Sequence, residues 1–264
     1  MGQARREGLF DLSGRTAAVT GGGTHIGRAI AEVLAEYGAS VFVLGRRAEP
    51  LERTAEALQA RGLACRPMVA DAASEQDVQC ALDAIVEDCG QLDVMICNAG
   101  AAAASQLFPN LLLDELHETL RACVDTAAIC AQEAARRMIP RRSGRIVLVG
   151  SIHGELGADP RTYTSDFARS GISYNAAKGA VVNLARALAC ELGDYDITVN
   201  CLSPGQVPDP ANRSDTIRRF AEKVPLRRTG TPDDMKGAAL LLASDAGAWI
   251  TGHNLIVDGG WSAW

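Results

Sequence analysis

The chain has 264 residues, of which 47% are hydrophobic and 22% are charged, and its formal net charge is -6. This length suits one substantial hydrophobic core, and the acidic balance disfavours a nucleic-acid-binding function. Eight scattered cysteines without a C-x-x-C pair indicate a reducing compartment, with neither a disulfide framework nor a metal site.

The first eight residues are polar and basic and lack the apolar stretch of a signal peptide, so we expect no signal peptide there and a flexible segment instead. No apolar run approaches the roughly 20 residues that a membrane-spanning helix needs. The sequence therefore predicts a cytoplasmic protein that is not inserted in a membrane.

Short apolar segments alternate with longer segments of helical periodicity along the chain. In chain order, we predict strand 15–20, helix 26–37, strand 40–44, helix 49–61, strand 64–70, helix 74–89, strand 92–97, helix 113–139, strand 145–149, helix 173–192, strand 197–201, helix 232–243 and strand 254–257. This alternation predicts one doubly wound α/β domain over residues 1–264, a Rossmann fold whose parallel sheet has about seven strands and helices on both faces.

A glycine-rich segment follows the first strand, reading Thr20-Gly21-Gly22-Gly23-Thr24-His25-Ile26-Gly27. Glycine alone at a strand-to-helix turn is a weak signal. Here the strand, the turn and the helix occur in the order that a dinucleotide site requires. The helix N-terminus would then offer N–H groups to a pyrophosphate.

The end of the second strand reads Gly45-Arg46-Arg47. An acidic residue there would bind the adenosine ribose and repel a 2′-phosphate, whereas Arg46 suits a phosphate. We predict that NADP(H) is preferred, with NAD(H) as the alternative. The competing interpretation is a pair of surface arginines.

A Tyr-x-x-x-Lys pattern, Tyr174 to Lys178, opens the predicted helix 173–192. Residues four apart lie on one helix face, so the phenol and the ammonium can share a site. The pattern alone occurs often by chance. It gains meaning from its position after a strand that leads into Ser151.

Taken together, these motifs resemble the classical short-chain dehydrogenase/reductase family, and the resemblance extends from about Leu9 to Trp261. It implies that Ser151, Tyr174 and Lys178 are catalytic and that the reaction is hydride transfer between a nicotinamide cofactor and an alcohol or carbonyl group. The implied cofactor-binding residues are Gly21, Gly23, Thr24, His25, Ile26, Gly27, Arg46, Asp71, Asn98, Ala99, Gly100, Tyr174, Lys178, Pro204, Gly205 and Val207.

The resemblance also implies the roles of the catalytic residues. Free tyrosine has a pKa of about 10, and a nearby cation favours its phenolate. Tyr174 would then exchange a proton with the substrate oxygen, Ser151 would hydrogen-bond that oxygen, and Lys178 would also hold the nicotinamide ribose.

Among the departures from the family pattern, three concern the glycine turn, the catalytic residues and their spacing. His25 stands where the family has its middle glycine, and Cys123 stands where it has a fourth catalytic residue, an asparagine. Ser151 and Tyr174 are 23 positions apart, more than is usual in the family, and we call residues 153–172 the inserted segment. This segment is either surface decoration or a pocket wall, in which Arg161 would bind an anionic substrate group.

Substrate choice stays open within this family. A sugar, polyol or sugar acid is our first choice because the inserted segment is polar. A 3-oxoacyl thioester is the second, and a non-catalytic regulatory protein is an alternative from another class. We expect a homotetramer, because helices 113–139 and 173–192 carry apolar residues beyond one core-facing stripe and Trp261 and Trp264 end the chain.

Overall fold

The computed structural model describes residues 8–100, 107–164, 171–209 and 214–264. Most of the N-terminal segment for which we predicted flexibility, and part of the inserted segment, therefore lie outside the described residues.

Seven parallel strands form one sheet, as the sequence predicted. They are β1 (Thr16–Thr20), β2 (Ser40–Gly45), β3 (Cys65–Val69), β4 (Val94–Cys97), β5 (Gly144–Val149), β6 (Ile197–Pro204) and β7 (Asn254–Val257). Their order in the sheet is β3-β2-β1-β4-β5-β6-β7, and each neighbouring pair is parallel. The order changes direction between β1 and β4, which is where doubly wound folds bind ligands.

Eight α-helices accompany the sheet in the described part of the chain. They are α1 (His25–Glu36), α2 (Ala48–Gln59), α3 (Glu75–Cys89), α4 (Leu113–Leu120), α5 (Thr126–Met138), α6 (Ile172–Leu192), α7 (Asp215–Lys223) and α8 (Lys236–Ala243). Helices α1, α2 and α8 pack on one face of the sheet, and α3, α5 and α6 pack on the other.

Alternate residues of the central strands bury their side chains in opposite cores. In β1, Ala17 and Val19 pack with the α1 side while Ala18 packs with the α3 side. Both faces of these central strands are buried, which explains why β2 and β4 are runs of apolar residues rather than alternating ones. This arrangement confirms the predicted fold class.

The predicted helix 113–139 is interrupted. Between α4 and α5 the chain forms a π-helical turn, Arg121–Asp125, and α5 ends in a 3-10 turn, Ile139–Arg141. A π-helical turn adds one residue to a helical turn, and this small change is not visible in the spacing of apolar residues along the sequence. Such turns often occur at functional sites. Helix α7 was not predicted, although Phe220 on it is fully buried.

The apolar side chains from which we expected subunit contacts belong largely to the core of a single chain. Ala127, Ala131, Val181, Val182 and Ala185 are at most 3% exposed and pack within the α3–α5–α6 side. The sequence argument for a tetramer was wrong at these positions, because both helices are buried on more than one stripe.

In the described part of the chain, no helix combines the length and the apolar character that crossing a bilayer requires.

Candidate active site

A cavity of about 1170 Å³ opens along the carboxyl ends of the central strands. Its lining contains every residue that the sequence analysis named as catalytic or cofactor-binding. These residues are Gly21, Gly23, Thr24, His25, Ile26, Gly27, Arg46, Asp71, Asn98, Ala99, Gly100, Ser151, Tyr174, Lys178, Pro204, Gly205 and Val207. Segments separated by almost 190 positions thus meet around one space.

The glycine turn is tied to the loop after β4. The Thr20 hydroxyl oxygen accepts hydrogen bonds from the backbone N–H groups of Asn98 and Ala99, at 3.0 Å each. In return, the Asn98 side-chain amide donates to the Thr20 carbonyl at 2.9 Å. Because both motifs share these bonds, the two walls of the cavity are held at a fixed spacing.

Close packing leaves no room for a side chain at two glycines of the turn. A Cβ on Gly27 would lie 2.2 Å from the carbonyl oxygen of Gly21, and a Cβ on Gly21 would lie 2.7 Å from the Asn98 amide nitrogen. Gly21 also has a φ of +65°, which favours glycine. The turn thus brings the N-terminus of α1 to the cavity, where its free N–H groups suit a pyrophosphate.

His25 has a left-handed backbone conformation at the position where the family has its middle glycine. Its φ is +51°, in the left-handed region, and its side chain is exposed at the start of α1 while lining the cavity. The turn therefore contains backbone strain at His25, since a non-glycine residue rarely adopts a positive φ.

At the end of the cavity near β2 and β3, the lining includes the two arginines that follow β2. Arg46 and Arg47 are exposed and line the cavity beside Gly45, and Asp71 lies on the same wall after β3. One carboxylate oxygen of Asp71 accepts the backbone N–H of Ala73 at 3.0 Å. These donors and acceptors, with the N-terminus of α1, fit a nicotinamide dinucleotide.

Ser151, Tyr174 and Lys178 meet at the other end. Lys178 is 7% exposed, and its Nζ donates to the Val149 carbonyl at 2.8 Å and lies 5.7 Å from the centre of the Tyr174 ring. Ser151 is equally buried, and its Oγ accepts the backbone N–H of His153 at 3.1 Å. The serine hydroxyl proton stays available for a substrate oxygen.

Cys123, where the resemblance expects asparagine, is 2% exposed and belongs to the π-helical turn. A Cβ on Gly100 would lie 3.6 Å from its sulfur. The thiol packs against the loop after β4 and is absent from the described residues that line the cavity.

The inserted segment does not present its charges as expected. The Arg161 side chain is 88% exposed and pairs with Asp159 at 3.0 Å, and it does not line the cavity. Hydrogen bonds from Arg161 and Lys223 hold the pKa of the Asp159 carboxyl well below its usual range. The expectation that Arg161 faces the substrate is wrong, because an acidic neighbour two residues away already binds its guanidinium.

Other charges of this segment are also satisfied within the chain. Glu155 accepts a hydrogen bond from Asn254 at 2.9 Å and lies 3.5 Å from the Arg186 guanidinium. Substrate is not needed to pair these groups.

Gln206 is a site residue that sequence reasoning missed, and His153 is the residue of the inserted segment that fits the pocket-wall alternative. His153 is 8% exposed and lines the cavity, and its Nε2 lies 3.5 Å from the Gln206 amide nitrogen. Burial lowers the pKa of His153, partly offset by a backbone hydrogen bond with Leu156. Their positions in the sequence, close to Ser151 and to Pro204-Gly205, were the signal that could have identified both residues.

Glu118 and Arg121 also line the cavity, and no sequence pattern marked them.

Among the described residues, no group of three or more His, Cys, Asp and Glu side chains is arranged to hold a metal ion.

Residues 22–262 match the family model described as enoyl-(acyl carrier protein) reductase. The chain is 35% identical to gluconate 5-dehydrogenase from Gluconobacter oxydans, covering 96% of each chain. It is 32% identical to the rhamnolipids biosynthesis 3-oxoacyl-[acyl-carrier-protein] reductase of Pseudomonas aeruginosa, covering 95% of this chain and 97% of the relative.

A solved structure extends the similarity to three dimensions. It is a gluconate 5-dehydrogenase from Burkholderia cenocepacia in complex with NADP and tartrate, 31% identical, with a TM-score of 0.87 over 97% of this chain and 98% of the relative. The predicted resemblance is confirmed: the chain belongs to the short-chain dehydrogenase/reductase family, and it is an oxidoreductase that acts on alcohol or carbonyl groups.

Proposed function

We propose that the chain transfers a hydride between NADP(H) and a small hydroxylated substrate, a sugar, polyol or sugar acid. One observation carries the proposal: a single cavity joins Arg46 at one end to Ser151, Tyr174 and Lys178 at the other. A dinucleotide bound along it would place its phosphates at the glycine turn and its reactive ring beside Tyr174.

The three residues have distinct tasks in this proposal. Tyr174 exchanges a proton with the substrate oxygen through its hydroxyl. Ser151 donates its hydroxyl proton to the same oxygen, since its Oγ already accepts the N–H of His153. Bound nicotinamide supplies or accepts the hydride.

Lys178 has two functions. Its positive charge favours the phenolate form of Tyr174. Only one of its three N–H donors is needed by the Val149 carbonyl, so the others can bind the cofactor ribose.

NADP(H) preference rests on the absence of an acidic residue at the end of β2. Gly45 ends the strand, and Arg46 and Arg47 follow it into the cavity lining. A guanidinium binds a phosphate in a bidentate manner, and no carboxylate at position 45 repels it.

The sugar-type substrate is supported by the gluconate 5-dehydrogenases among the relatives and by the tartrate bound to one of them. Tartrate carries hydroxyl groups on adjacent carbons. The second candidate is a 3-oxoacyl thioester, supported by the Pseudomonas aeruginosa relative.

The test is a turnover assay with NADPH and NADH against gluconate, its 5-keto product, neutral keto sugars and polyols, and a 3-oxoacyl thioester. We expect the highest kcat/KM on a hydroxylated substrate, with NADPH or NADP⁺ as cofactor. A higher kcat/KM on the thioester would replace the first candidate with the second.

A further inference from the structure

We propose that His153 and Gln206 form a hydroxyl-binding pair that selects substrates with a hydroxyl group on the carbon next to the reacting carbon, namely α-hydroxyketones and vicinal diols. This inference rests on the proposed function and specifies its substrate class.

The imidazole is held in place by its own turn. His153 lies in a 3-10 turn, Ile152–Gly154, and its backbone N–H donates a hydrogen bond to Ser151 Oγ. A Cβ on Gly154 would lie 2.8 Å from the Lys178 carbonyl oxygen, so the turn packs tightly on the backbone of α6. The ring is thereby fixed beside Ser151 and has little freedom to move away.

The same ring lies next to the proposed proton donor. The centres of the His153 and Tyr174 rings are 6.2 Å apart, with an interplanar angle of 71°. A substrate oxygen bound to Ser151 and Tyr174 would have its neighbouring carbon close to the imidazole. A hydroxyl on that carbon is therefore the group that the imidazole can reach.

Gln206 approaches the imidazole from a different part of the fold. It follows β6, and its backbone carbonyl is fixed by the N–H of Gly230 at 2.9 Å. The 3.5 Å separation between its amide nitrogen and His153 Nε2 is long for a direct hydrogen bond. Both groups therefore keep hydrogen-bonding capacity for a third partner.

The chemistry of the pair matches a neutral hydroxyl. The Nε2 atom of a neutral imidazole, which faces Gln206, donates or accepts depending on the tautomer, and the glutamine amide has both a donor and an acceptor. A hydroxyl group requires one of each. A ketone without the adjacent hydroxyl would leave these polar groups without a partner, which is costly in a buried site.

Among the described residues, Lys178 is the one fixed cation beside Ser151 and Tyr174. Of the described lining residues, four carry a permanent positive charge: Arg46, Arg47, Arg121 and Lys178. Arg46 and Arg47 follow β2, Arg121 belongs to the turn beside the loop after β4, and Lys178 binds the Val149 carbonyl. A hydroxyl is thus better matched than an anionic group next to the reacting carbon.

The test compares 3-hydroxy-2-butanone with 2-butanone, two ketones that differ by the adjacent hydroxyl. The measured quantity is the ratio of their kcat/KM values with NADPH. For the wild type we expect a ratio of about ten or more. His153→Phe, which keeps an aromatic ring against Tyr174, should bring the ratio to within about threefold of unity.

Two further variants make the result interpretable. Gln206→Met removes the amide without changing the backbone contact to Gly230, and should lower the ratio at least threefold, even if His153→Phe does not fold. Arg161→Ala, on the exposed side of the inserted segment, should leave the ratio unchanged.

Failure of this inference can be distinguished from failure of the proposed function. A wild-type ratio near one, or a folded His153→Phe or Gln206→Met with the wild-type ratio, overturns this inference while activity on sugars or polyols leaves the proposed function standing. No turnover of any hydroxylated substrate with either cofactor overturns both.

Discussion

The ammonium nitrogen of Lys178 lies 5.7 Å from the centre of the Tyr174 ring, one helical turn away, and donates to the Val149 carbonyl at 2.8 Å. Val149 is the last residue of β5, two positions before Ser151. The strand that delivers the serine therefore also anchors the cation beside the phenol. This contact links β5 to α6 at the point where the proposed proton transfer takes place.

We expect Tyr174→Phe to lower kcat by about 10²–10⁴-fold, because it removes the transferable proton and keeps the ring. Cofactor affinity, measured by fluorescence titration, should change little. Tyr195→Phe is the matched control, since Tyr195 lies under Arg142 and outside the described cavity lining. A Tyr174→Phe enzyme with near wild-type kcat contradicts the proposed role.

Arg46→Ala should weaken NADPH binding by about tenfold or more and leave NADH binding nearly unchanged, because a charge-assisted hydrogen bond to the 2′-phosphate is lost. Calorimetric titration of both cofactors provides the measurement. Arg53→Ala, an exposed arginine on α2 outside the cavity lining, is the control. Equal affinities of the wild type for the two cofactors would refute the NADP(H) preference.

The sequence predicted the sheet and most of the cavity because both depend on local patterns. The glycines at the turn after β1, and the spacing of Tyr174 and Lys178 on one helix face, can each be recognised in a short stretch of sequence. The strands of a doubly wound fold then bring these short segments together at one edge of the sheet. Residues within such motifs could therefore be placed without coordinates.

Side-chain direction in a loop has no comparable periodicity. His153 is buried because its turn packs on α6, and Arg161 points outward because Asp159 binds it; both outcomes depend on tertiary contacts. The π-helical turn Arg121–Asp125 was missed for a related reason, since no Gly or Pro marks it. The directions of loop side chains around the cavity were thus the least predictable feature of the site.

His25→Gly should stabilise the protein. A left-handed conformation costs a non-glycine residue roughly 1–2 kcal/mol, of which glycine's greater freedom in the unfolded chain cancels part. We expect a gain of about 0.5–1 kcal/mol and a rise in Tm of roughly 1–4 °C. His25→Ala is the matched control, because it keeps the Cβ and hence the strain at φ +51°. An equal gain in both variants would locate the effect in the imidazole instead.

His153 should make the fold sensitive to acid. Burial lowers its pKa in the folded state below the ordinary value of about 6.5, so the unfolded chain takes up this proton first. The free energy of unfolding therefore falls as the pH drops below about 6.5 toward the lowered pKa. In urea titrations, His153→Phe should lose less stability than the wild type between about pH 7 and pH 5.5.

The control for acid sensitivity is His117→Gln, because His117 is exposed on α4. This variant should show the wild-type loss. If His153→Phe also shows the wild-type loss, other groups cause the acid sensitivity.

The homotetramer remains a prediction, and its support now comes from exposed apolar side chains rather than from the buried helix faces. Trp249 is 99% exposed, Trp264 is 76% exposed and Leu113 is 67% exposed. Side chains of this size are costly to leave in water and mark contact surfaces.

Light scattering should give a molecular mass of about four times 27.8 kDa. The variant Trp249→Glu, which places a charge before β7, should lower that mass. Val69→Glu, on the opposite edge of the sheet, is the control and should keep the wild-type mass. A wild-type mass of one chain would contradict the prediction.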